Sequence, residues 1–165
     1  YKKGWSGINI DLNKTSIDLF KLARPNDINL NLAISDANKK IKVYQTKDLG
    51  KMNTIDPKFA SIFLKNYHVR ESCSYNLNDI LYKYNASKNN RFELIDIDVE
   101  GSELNVLKSL DFKKYKPKLI CIEIHNHEEM YNPNLDYLKR NKVYKFLINK
   151  GYKIVWNNGF SFIFN

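Results

Sequence analysis

Acids stand at the ends of four strand-like runs in this chain. Asp11 closes Gly7-Ile8-Asn9-Ile10-Asp11-Leu12, a short alternation of apolar and polar residues. Ser35 and Asp36 close a second alternating run over residues 28–35. Asp98 and Glu100 end the strongly apolar run Phe92 to Val99, and Glu123 and His125 end Lys118 to His125. In open α/β sheets, ligands bind beyond the carboxyl ends of the strands. Four successive strands therefore deliver an acid to one edge, in a chain whose net charge is +9.

Each acid has a chemical use and a plainer one. Asp11 can accept hydrogen bonds from both hydroxyls of a ribose, or only favour the dipole at the start of the next helix. Asp36 can accept from an amino group such as that of adenine, or begin a loop as the turn residue of Asp36-Ala37-Asn38. Strand alternation puts Asp96, Asp98 and Glu100 on one face and Ile95, Ile97 and Val99 on the other. Three ionised acids on one buried face repel, so one holds its proton or a cation or polar ligand sits among them. Gly101 permits a sharp turn, and Glu103 reads as structural at the next helix start. On the neighbouring strand Cys121, Glu123 and His125 share a face, and Glu123 or His125 suits a general base toward a substrate hydroxyl. The run His125-Asn126-His127-Glu128-Glu129 invites a metal reading. Only His68 remains as a further histidine and the cysteines are poorly placed, so no structural zinc and no assigned metal ligand is expected, with an oxygen-liganded divalent ion at Asp98 and nearby acids as the alternative.

These residues need a scaffold. A helix carrying Ile17, Leu19, Phe20 and Ala23 follows Asp11, with Thr15 and Asp18 spaced as a capping-box variant, and stops before Pro25. Ile41 to Gln45 suggests a short extra strand, whereas residues 47–75 show no clear pattern. Helices are predicted over Asn76 to Tyr84, after Gly101-Ser102, and through Val143, Phe146 and Leu147 to Gly151. Two closing strands, Lys153 to Trp156 and Phe160 to Phe164, flank Asn157-Asn158-Gly159, a hairpin signal. This order predicts a three-layer α/β fold, with a mostly parallel sheet and a C-terminal antiparallel hairpin, as a single domain over residues 1–165.

Composition narrows the class. The hydrophobic fraction of 43% argues against disorder. No apolar run approaches the ~20 residues that span a bilayer, and nothing at the start resembles a signal peptide. Cys73 lies in a polar stretch and Cys121 in an apolar one, which fits reduced thiols in a cytoplasmic protein. Lysines scattered singly favour a solvated basic surface, with nucleic-acid binding as the alternative.

The ordered blocks resemble the FkbM family of methyltransferases. They are Gly4-Trp5-Ser6-Gly7-Ile8-Asn9-Ile10-Asp11, Arg24-Pro25, Leu32-Ala33-Ile34-Ser35-Asp36, Leu77-Asn78-Asp79-Ile80-Leu81, Asp98-Val99-Glu100-Gly101-Ser102-Glu103 and Ile122-Glu123-Ile124-His125. The resemblance runs nearly end to end. It implies a Rossmann-like class I methyltransferase fold, S-adenosylmethionine as donor, and O-methylation of a hydroxyl on a small molecule or saccharide. By the same resemblance Asp11 matches the ribose acid, Ser35-Asp36 the adenine-side loop, and Asp98 and Glu100 the block beside methyl transfer. A base at Asp98, Glu123 or His125 would take the hydroxyl proton. A catalytically silent α/β binding module is the competing reading. The family pattern also has a strand ending in a glycine loop before Gly4-Trp5, and the glycines at 4, 7, 50, 101, 151 and 159 form none. A first strand and helix are thus expected upstream of Tyr1. Residues 1–165 alone are expected to bind donor poorly and to self-associate.

Overall fold

The computed structural model describes residues 2–46, 52–84, 92–124 and 135–165. The strand β1 (Ile8–Asp11) leads into helix α1 (Lys14–Ala23), and β2 (Ile28–Asn31) returns parallel to β1, with Asp11 opposite Asn31. The cap of α1 is Asn13, whose Oδ1 accepts from Thr15 N at 2.8 Å and from Ser16 N at 3.4 Å. The expected Thr15/Asp18 capping box does not form, because Asp18 is drawn into ion pairs with Lys14 and Lys21 on the helix surface.

The run over residues 28–35 divides in two. Asn31 Nδ2 donates to Asp11 O at 2.9 Å at the end of the β1–β2 ladder. Past it the chain changes partner, and β3 (Ala33–Ser35) lies parallel to β6 (Tyr67–Asn76). The strand expected at Ile41 to Gln45 is longer, β4 (Lys39–Thr46), and pairs antiparallel with β6 over its whole length. β5 (Asn53–Thr54) adds a short edge to β4. Helix α2 (Pro57–Phe63) follows, capped by Asp56 with Pro57 in its first turn, where a missing N–H costs nothing.

The second half follows the predicted order, with shorter elements. Helix α3 (Leu77–Lys83) leads to β7 (Leu94–Ile97), α4 (Glu103–Lys108), β8 (Leu119–Glu123), a 3₁₀ turn at Leu135–Lys139, α5 (Lys142–Asn149), β9 (Ile154–Asn157) and β10 (Ser161–Phe164). β7 and β8 are parallel, and β10 lies antiparallel between β8 and β9, so the predicted hairpin is present. Gly151 ends the α5 segment at φ +88, a left-handed position that suits glycine.

Among the described residues the strands form three sheets, β1-β2, β7-β8-β10-β9 and β3-β6-β4-β5. One mostly parallel sheet was expected; the β4–β6 ladder and the C-terminal hairpin make the arrangement mixed. No ladder joins β1 to β7, and each is paired on one edge only among the described residues. The core is apolar and continuous. Leu81, Ile97, Val106, Leu107, Leu147, Phe162 and Phe164 are buried in one cluster, with Ile8 and Ile10 packed against it. Emptying such a site, as in Phe162→Ala, typically costs about 3–5 kcal/mol. No helix among the described residues is long and apolar enough to cross a membrane.

Candidate functional site

The carboxyl ends of β1 and β7 face a common edge. Asp11 leaves β1 with Oδ1 accepting from Asn13 N at 2.7 Å, which ties the carboxylate to the start of α1. Its charge reaches Asp98, which follows β7. The Asp98 carboxyl is held above the usual aspartate value by partial withdrawal from water, then by the charges of Asp96 and Asp11.

Glu100 and Glu123 carry the larger effect. Burial pushes Glu100 up to about 7, with Asp98 and Glu103 adding to it. Burial likewise pushes Glu123 up to about 7, helped by Asp98, Glu100, Glu103 and Asp96. A carboxyl poised near neutrality can hold or release a proton during a reaction. Register puts Cys121 opposite Asp96, and burial and the Asp96 carboxylate push that thiol up to about 11. Such a thiol stays protonated and is a poor nucleophile. Glu103, buried, accepts from Gly101 N at 2.9 Å through Oε1 and tightens the turn into α4.

The other predicted residues lie differently. Ser35 is buried in β3, and its hydroxyl donates to Asp36 at 3.1 Å. Asp36 also takes Lys39 Nζ at 2.6 Å, and that cation holds its carboxyl below the usual aspartate range. The acid at the β3 end is therefore already met by a cation. His125 lies outside the described residues. Among the described residues no group of three or more His, Cys, Asp or Glu side chains is arranged to hold a metal ion.

Two contacts at this edge escaped the sequence reading. Arg70 on β6 donates through Nε to Gln45 Oε1 at 2.7 Å and through Nη2 to Leu12 O at 3.5 Å. Thr54 on β5 donates to Glu100 O at 2.6 Å. The β3-β6-β4-β5 sheet thus touches the edge beside both Asp11 and Glu100. No local pattern marks either contact; the Asp56-Pro57 pair, a cap followed by a first-turn proline, was the readable signal in that stretch.

A family model described as the methyltransferase FkbM domain matches residues 1–154. The chain belongs to the FkbM methyltransferase family. No curated protein and no solved structure matches it. Methyltransferases of this kind generally use S-adenosylmethionine, and the edge of this FkbM protein fits such a donor. Asp11 keeps one carboxylate oxygen without a hydrogen-bond partner among the described residues. The crowded acids beyond β7 and β8 create a negative potential that a sulfonium and an α-ammonium would relieve.

Proposed function

We propose that this protein transfers a methyl group from S-adenosylmethionine to a hydroxyl of a small molecule or saccharide, within a Rossmann-like fold in the cytoplasm. The observation that carries the reading is the match to the methyltransferase FkbM domain over residues 1–154, with Asp98, Glu100 and Glu123 gathered at the carboxyl edge in support. When bound, the donor supplies an electrophilic methyl on a cationic sulfur. The chain supplies orientation and a proton acceptor.

In this account Asp11 accepts from the ribose hydroxyls, and the Ser35-Asp36 loop borders the adenine end through its backbone, with the Asp36 carboxylate held by Lys39. Asp98, Glu100 and Glu123 surround the acceptor hydroxyl, and His125, outside the described residues, remains a candidate by its position in the sequence. Holding that hydroxyl in line with the methyl contributes most, because positioning turns an encounter between two molecules into a step within one complex. Removal of its proton by Asp98, Glu123 or His125 adds to this. Glu123 suits the role, since a base near neutrality balances its ionised fraction against its proton affinity.

The test uses the intact protein and S-adenosylmethionine tritiated at the methyl group, against a panel of saccharides and small hydroxylated compounds. Label should appear in an acceptor as a base-stable methyl ether. Label found only in base-labile methyl esters would move the reaction to carboxyl groups. No transfer, with no donor binding by calorimetry, would favour a silent binding module.

A further inference from the structure

Glu100 adopts φ +52 and Gly101 follows at φ +97. The first value is disfavoured for a residue with a Cβ, so something must hold the turn. Thr54, wholly buried, donates from Oγ1 to the Glu100 carbonyl at 2.6 Å and accepts from Asp56 N at 2.9 Å. Gly101 lies against the same segment. A Cβ there would stand 3.0 Å from Phe59 Cβ and 3.3 Å from Asp56 Oδ2. Asp56 is itself fixed, because its side chain caps α2. The turn after β7 is therefore clamped by a segment more than 40 residues earlier in the sequence. Valine would fill the Thr54 site as well. What the hydroxyl adds is two bonds: it donates to the carbonyl of the residue in the left-handed conformation and accepts from Asp56 N.

We propose that Thr54 is a positioning residue, whose hydroxyl fixes the Glu100 turn and so aims the Glu100 carboxyl at the edge shared with Asp98 and Glu123. Its consequence for methyl transfer rests on the function proposed above; the clamp itself does not.

The test is a carboxyl NMR titration of protein labelled with 13C in its glutamate side chains, with Glu100→Gln assigning the resonance. Asp98, Glu103 and Glu123 face Glu100 among the described residues, and Asp56 stands across the turn. Wild-type Glu100 should titrate near 7, and Thr54→Ser should keep that value. Thr54→Val should return Glu100 toward an ordinary glutamate. A folded Thr54→Val protein with Glu100 still titrating near 7 overturns the proposal. Should Thr54→Val not fold, Thr54→Val/Glu100→Gly is the second arm, because glycine takes this φ without being held. Folding of the double variant supports the clamp; its failure to fold while Glu100→Gly alone folds would trace the loss to the Asp56 N bond and refute the clamp on the Glu100 turn. A protein that shows the Glu100 shift but transfers no methyl group would refute the proposed reaction and leave the clamp standing.

Discussion

Asp36 and Asp98 are both acids at the end of a strand, yet their surroundings set them apart. Asp36, after β3, is met by Lys39 and Ser35 at the surface, and its carboxyl is stabilised as the anion. Asp98, after β7, is partly withdrawn from water and faces Asp96 and Asp11, and its anion is destabilised. An acid at a strand end is thus no signature by itself. The neighbours that other elements bring to it decide whether it is already satisfied or left to serve a ligand.

That contrast breaks first at Asp98. Asp98→Asn keeps the shape and removes the charge, so methyl transfer should fall about 10²- to 10⁴-fold with little change in melting temperature. Full activity in this variant would return Asp98 to a structural role. Asp11 comes next. Asp11→Ala removes charge-assisted hydrogen bonds to the ribose and should weaken donor binding by about 1.5–3 kcal/mol.

The acid cluster also predicts a pH dependence of stability. Glu100 and Glu123 bind protons more tightly in the folded protein than in the unfolded chain, whose glutamates titrate near 4.5. The folded state therefore loses stability as pH rises from about 4.5 to about 7, then levels off. Melting temperatures of the free protein should fall between pH 5 and pH 8, and Glu123→Gln should flatten the decline. A melting temperature that rises over this interval would mean that cations in the folded protein outweigh the crowding. The smallest effect belongs to Asp36→Ala, which breaks a surface pair worth about 0–1 kcal/mol and should change donor affinity little.

Much of the scaffold was legible because local rules sufficed. β1, α3, β8, the Asn-Gly hairpin and the left-handed Gly151 follow from alternation, helical spacing and turn chemistry in short windows. Residues 28–35 alternate without interruption, so nothing local shows that the strand changes partner at Leu32. β6 hid for another reason. Its exposed face carries Tyr67, Val69 and Tyr75, while its other face carries Arg70, Ser72 and Ser74, so polarity does not separate the two. The site was legible as a set of acids. Its electrostatics were not, because Lys39 beside Asp36 and Thr54 beneath Glu100 matter through tertiary placement.

The most direct test of the account is a calorimetric titration of the intact protein with S-adenosylmethionine, run beside Asp11→Ala and Asp36→Ala. The account predicts saturable one-to-one binding, weakened about 10- to 150-fold by Asp11→Ala and nearly unchanged by Asp36→Ala. Equal binding in all three proteins, or no binding in any, would contradict it.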